Sequence, residues 1–243
     1  MMNESPIVFC REWAVTAALV SYLTPAYSCQ INEVYSQESL RGALQKLPLA
    51  PVVLGICPHE HVMDLYRLQP LLSGRPILFV GRHFYWTDYK LPEWLGLDDC
   101  GFGTWDTMQE PFSRRMALRF FRQTRVDTQK MGNVVRKGQE SAMTDMQILE
   151  NANRWLYREL SVSGLTGYEV RVLSLVSDGH KGNLPARARS LHKNNGLNKL
   201  GMSKQLMNLY RGVKVRAALQ TCLPSQVEDG QENCKQLRQG TGW

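Results

Sequence analysis

The sequence predicts a doubly wound parallel α/β sheet followed by a small, basic, all-helical module, and three observations carry that prediction. Strand-like and helix-like segments alternate four or five times over residues 1–124, the pattern of βαβ units rather than of hairpins. The strand-like segments are continuously apolar, as in "PVVLGIC" (51–57) and "RPILFVG" (75–81), and a strand covered on both faces needs apolar residues at every position. The charge is concentrated in one place: between Leu165 and Gln220, five Lys and five Arg are opposed only by Glu169 and Asp178, so this segment holds +8 in a chain whose total is +7.

The elements follow in order. "PIVFC" (6–10) is a short buried strand, and "REWAVTAALVSYLT" (11–24) places Val15, Leu19, Tyr22 and Leu23 at helical spacing. "YSCQINEVYS" (27–36) is a second strand. "SQESLRGALQKL" (36–47) starts at a capping Ser36 and carries Leu40, Ala43, Leu44 and Leu47 on one face. Strand 51–57, helix 61–72 and strand 75–81 come next, then a weaker strand in "GFGTW" (101–105) and a helix over 110–124 with Pro111 in its first turn. Residues 125–142 are polar and read as linker. An amphipathic helix over 143–160 completes a linking segment that reaches residue 164, and the basic helical module occupies 165–220. The Gln- and Gly-rich tail, 221–243, reads as disordered.

Several function classes lack their signatures. No P-loop, G-x-S-x-G or G-x-G-x-x-G is present. The longest apolar stretch, Trp13 to Leu23, is too short to span a bilayer, and the start of the chain lacks the basic region of a signal peptide. The six cysteines form no CxxC pair and read as free thiols of a cytoplasmic chain. "CPHEH" (57–61) offers Cys57, His59 and His61 as zinc ligands, but the other histidines are scattered at 83, 180 and 192. Zinc needs three or four ligands, so a strand-end loop is the favoured reading and a metal or small-ligand site the other. "FYWTDY" (84–89) reads as a core edge, ahead of an aromatic partner surface or a base-stacking platform. "RRMALRFFR" (114–122) reads as a solvated basic helix. No catalytic residue, metal or cofactor is expected, and the chain is not expected to be an enzyme.

The basic module resembles the helix-turn-helix of LuxR/NarL (FixJ-like) transcriptional regulators. "LTGYEVRVLSLVSDG" (165–179) is similar to that family's opening helix, with Thr166 as cap, Glu169 at the cap-box position and Val170, Leu173 and Val176 facing a core. "LHKNNGLNKLGM" (191–202) resembles the end of its recognition helix, and "SKQLMNLYRGVKV" (203–215) falls where the family has its last helix. Between them the chain is roughly seven residues short of the family's pattern. Either Pro185 opens the recognition helix and the scaffold helix is nearly gone, or "ARARSLHKN" is the scaffold helix and the recognition helix has lost its start. Gly196 weakens that helix by ~1 kcal/mol relative to Ala. The N-terminal half resembles, in order and spacing, the receiver domain of the same family. The family's Mg²⁺-binding acid pair falls on Cys10 and Arg11, its phosphoacceptor at or beside Ile56, its Thr/Ser near Gly81 and its Lys near Thr104–Trp105. The resemblance thus implies a degenerate receiver that is not phosphorylated in the usual way.

What the resemblance implies is a cytoplasmic, DNA-binding transcription regulator. It would act without receiver phosphorylation, as a homodimer or as a heterodimer with another LuxR-type regulator. Lys181, Arg187, Arg189, His192, Lys193, Asn194, Asn195, Asn198 and Lys199 are the residues expected to face double-stranded DNA. Arg187 and Arg189, two apart on a helix, point roughly 200° apart and are not expected to reach one groove together. The alternative is an interaction module that modulates a full-length regulator without binding DNA. A third reading is an enzyme or ligand sensor built around Cys57–His61.

Overall fold

The computed structural model describes residues 5–26, 30–123 and 143–224. The expected linker, 125–142, and the tail from 225 onward lie outside them. Five strands, β1 (Ile7–Phe9), β2 (Asn32–Val34), β3 (Val52–Leu54), β4 (Ile77–Gly81) and β5 (Cys100–Thr104), form one all-parallel sheet in the order β2-β1-β3-β4-β5. β1, β3 and β4 are buried at every position, as continuous apolarity requires when helices cover both faces.

One face of the sheet, through Ile7, Phe9, Val52, Leu54 and Phe79, packs on α2 (Gln37–Lys46) and α3 (Val62–Leu72) by way of Leu40, Leu44, Leu65 and Leu68. The other face, through Val8, Val53, Leu78 and Val80, packs on α1 (Trp13–Leu23), α5 (Trp105–Gln109) and α6 (Pro111–Gln123), which supply Leu19, Leu23, Met108 and Leu118. The fold is therefore a doubly wound α/β sheet joined to a helical part. Ser36 caps α2 by accepting from the Ser39 amide at 3.1 Å.

Two short helices escape the sequence reading. α5 is a single turn capped by Thr104. α4 (Trp86–Trp94) is the "FYWTDY" segment with its continuation, a helix rather than a core edge alone. Its buried residues, Trp86, Thr87, Asp88, Leu91 and Pro92, follow no amphipathic stripe because the α/β half covers one side and the helical half the other.

The helical half consists of α7 (Asp145–Val162), α8 (Gly167–Ser177), α9 (Ala186–Lys199) and α10 (Leu206–Gly212). α7 and α8 each open with a capping box, Thr144 with Gln147 and Thr166 with Glu169. Expected as part of a linking segment, α7 is a core element: Ile148, Leu149, Ala152, Leu156 and Leu160 share one buried cluster with Val62, Trp86 and Leu91 of the α/β half and with Leu173, Leu197 and Leu209 of the module. The tail expected to begin at 221 is displaced as well. Residues 221–224 run back over the sheet half, with Leu223 5% exposed inside its core.

Candidate nucleic-acid interface

The carboxyl ends of the strands are where a doubly wound sheet ordinarily holds its ligand, and here that crevice is filled by the protein itself. Cys10 follows β1 and lies against Gly55, where an added Cβ would sit 2.7 Å from the Cys10 sulfur. At the end of β4, a Cβ on Gly81 would meet the Cys57 sulfur at 3.0 Å and Phe84 at 3.1 Å. Burial pushes the Cys57 thiol up to about 12, with help from the carboxylates of Asp88 and Glu60, which leaves it a poor nucleophile and a poor metal ligand.

His59 sits in a one-turn 3-10 helix, Pro58–Glu60, and is buried. Its Nδ1 is 2.8 Å from Asp88 Oδ1, and the same carboxylate accepts the amides of His59 and Tyr85, both at 2.8 Å. On the other side, Nε2 faces Glu60 Oε1 at 3.5 Å, within Coulombic reach but without a hydrogen bond. Burial works against a charged His59 ring, but the Asp88 hydrogen bond and the nearby charges of Asp88 and Glu60 outweigh it and hold the group up to about 9. Glu60 in turn accepts from Arg211 Nη1 of α10 at 2.9 Å. His61 is buried apart from this chain of contacts, its Nδ1 without a partner, and burial holds its ring below the ordinary histidine value. Cys57, His59 and His61 are thus not brought together, and among the described residues no three His, Cys, Asp or Glu side chains are placed to hold a metal. The motif joins the two halves instead.

In the basic module the cations divide into two groups. Lys199 bonds Glu169 at 2.8 Å and the Gly164 carbonyl at 3.1 Å. Lys214 and Arg216 pair with Asp178, and Arg211 with Glu60. Among the described residues, Arg171, Lys181, Arg187, Arg189, Lys193 and Lys204 form no ion pair. Five of these six lie on α8, on the loop after it or on α9. Lys199 therefore serves the module's own packing, while Arg171, outside the residues named from sequence, joins the unpaired set. Its signal was available in the sequence only as position: it sits two residues past the α8 capping glutamate, on the solvent side.

α9 is one continuous helix from Ala186, with Pro185 at its N-cap. Residues 180–185 form no helix, so α8 and α9 follow one another with only a loop between them. Gly196 and Leu197 are buried against α8. The opposite face exposes Arg187, Leu191, Asn195 and Asn198, with Asn194 beside them half-buried. The side chains of Asn194, Asn195 and Asn198 make no hydrogen bond to any described residue, so their donors and acceptors are available outward. Arg189 lies on another side, half-buried, with Nη1 donating to the Lys181 carbonyl at 2.9 Å. Arg187 and Arg189 thus diverge as their spacing requires. Half-buried His192 stacks on Tyr168 at 5.5 Å between centroids, and Lys193 is half-buried on the packed side.

These features define a parallel α/β sheet clamped to a compact helical module that carries an unpaired cationic face. No protein-family model matches the chain, and no curated protein is significantly similar to it. Among solved structures, it is similar to full-length FixJ from B. japonicum, at 18% identity and a TM-score of 0.37 over 86% of this chain and 96% of that one. It is also similar to the RcsB response regulator of Salmonella typhimurium, at 17% identity and a TM-score of 0.41 over 86% and 97%. No helix of the described residues is long and apolar enough to cross a membrane.

Proposed function

We propose that the chain is a transcription regulator of the LuxR/NarL kind that binds double-stranded DNA through the outer face of α9, and that it is a binding protein rather than an enzyme. The observation that carries this is the division of cations: the module's own acids pair three of its Lys and Arg, Glu60 of the α/β half pairs a fourth, and the α8–α9 end is left uncompensated. Unpaired cations beside exposed Asn side chains are what phosphate contact and base-edge reading need. Arg187, Asn194, Asn195 and Asn198 face the groove, and Arg171 and Lys181 supply phosphate contacts. The packed Cys10, Gly55 and Ile56 at the strand ends, in place of carboxylates, support action without receiver phosphorylation. The chain works as a homodimer or with a related regulator, which doubles the contacted half-sites.

The test is fluorescence anisotropy on a duplex across a salt series. Affinity is expected to fall steeply with salt, and Lys181→Ala to flatten the slope by about 0.9, the share of one lost phosphate contact. Lys214→Ala, whose cation is already paired with Asp178, is expected to leave the slope unchanged. Prior incubation with acetyl phosphate and Mg²⁺ is expected to change neither mass nor affinity. Salt-independent binding, or equal slope effects from Lys181 and Lys214, would remove the assignment.

One observation favours a second reading. A helix-turn-helix sets its docking angle with two helices, and residues 180–185 contribute none. On that reading the chain joins a full-length regulator and modulates it, and no duplex affinity appears at any salt concentration.

A further inference from the structure

Beside the DNA-facing surface lies a cleft that shares Arg171 and Lys181 with it but has an apolar floor DNA does not explain. It opens between α8, the loop after it and the first turns of α9, and encloses about 100 Å³. Val172, Leu175, Val176 and Leu184 line it, and Arg171, Lys181 and Arg189 stand around it, with no carboxylate among its lining residues. Val172 is 2% exposed, so the floor is part of the module's core. The loop turns at Gly182, whose φ of 63° favours glycine. Its backbone lies close over Leu175, with a built Cβ 3.0 Å from Leu175 Cδ1. The cleft also borders the start of α9, which has no side-chain cap and no acid in its first turn, whereas α8 satisfies its own first turn through Thr166 and Glu169.

A phosphodiester meets the cations but gains nothing from an apolar floor. A neutral apolar molecule fills the floor but leaves three cations without a counter-charge. We propose that this cleft is a binding site for a small organic carboxylate with a compact apolar body. The body displaces water from Val172, Val176 and Leu184, and the carboxylate lies at the rim, where Arg offers paired N–H donors in the geometry a carboxylate accepts. Size limits the class. An apolar cavity of about 150 Å³ accommodates benzene, so the smaller volume here suits a branched body of roughly four or five carbons.

The experiment is calorimetric titration of the full chain with isovalerate, the neutral alcohol of the same carbon skeleton, 3-methylbutanol, and acetate, at constant ionic strength and without DNA. Isovalerate is expected to bind saturably at about millimolar or tighter, with acetate and the alcohol at least tenfold weaker. Arg171→Gln, at an exposed position, is expected to lose about tenfold of isovalerate affinity, and Leu184→Trp, which fills the cleft, to abolish binding. Circular dichroism establishes that both variants are folded. Comparable binding by acetate or by the alcohol overturns the proposal, as does unchanged binding by either variant or no saturation up to about 10 mM, a range that includes weak sites. Because no duplex is present, failure here is distinguishable from failure of the DNA-binding reading.

Discussion

The most consequential single contact is the His59–Asp88 pair, because both groups are buried and the carboxylate also accepts two backbone amides. A buried, hydrogen-bonded ion pair is costly to break even where its net contribution is small. Its titration has a definite sign. The His59 group is held up to about 9 in the folded chain, above about 6.5 for an unfolded histidine. The stabilisation is therefore complete below pH 6.5 and disappears as pH rises through 9. By linkage it amounts to on the order of 3 kcal/mol. Urea unfolding of the wild type is expected to show falling stability between about pH 6.5 and 9 from this group. In Asp88→Asn that pH dependence should flatten and the chain should lose roughly 3–5 kcal/mol at neutral pH. A pH profile identical in the two proteins would mean that His59 is neutral throughout. This role was half legible in the sequence. "CPHEH" marked the place, but the partner lies 29 residues on, inside a segment whose helix had no visible period.

At the scale of elements, the sheet was readable because buried parallel strands and their covering helices leave distinct patterns. α4 was not, because two different halves bury opposite sides of it and erase the stripe that marks a surface helix. Gly196 shows the same limit within α9. Taken alone it weakens a helix by ~1 kcal/mol relative to Ala. In the folded module an added Cβ would sit 2.8 Å from Leu173 Cδ1 and 3.2 Å from its Cγ, and Leu173 is fully buried. The glycine lets α8 and α9 approach, and that approach presents the outer face of α9. Overpacking of this kind costs about 1–3 kcal/mol, which exceeds the propensity gain. Gly196→Ala is expected to lower the urea midpoint, with a net loss of about 1 kcal/mol. A raised midpoint would show that Leu173 yields and that the close approach is not required. The cation division was likewise out of reach from sequence. Ten Lys and Arg could be counted, but Glu60, which occupies one of them, lies 151 residues away from its partner.

At the scale of the whole molecule, the two halves are held in one arrangement by contacts centred on the turn at 58–62. Arg211 reaches Glu60, and the Arg211 carbonyl accepts from the Thr87 hydroxyl at 3.1 Å. The segment after α10 then crosses the same turn. Gln220 Nε2 donates to the His59 carbonyl at 2.8 Å while its Oε1 accepts the Val62 amide at 3.0 Å. The Thr221 amide donates to the Glu60 carbonyl at 2.8 Å, and the Leu223 amide to Asp64 Oδ2 at 2.8 Å. A side chain that satisfies a donor and an acceptor on one turn holds that turn at two points, and both bonds are partly buried. Gln220→Ala therefore leaves two backbone groups without partners, at a cost of about 1–3 kcal/mol each where water does not reach them. The consequence should be local to the junction. Hydrogen exchange is expected to accelerate together in the 58–62 turn and in α10, while β1, β3 and β4 keep their protection, because their packing is independent of this contact. If α10 kept full protection, the shared core of α7 with Val62, Trp86 and Leu91 would be sufficient to hold the module, and the crossing segment would only cover the turn. If instead the strands lost protection at the same rate, the two halves would unfold as one cooperative unit, and the orientation of the α9 face would be fixed by global stability rather than by the junction.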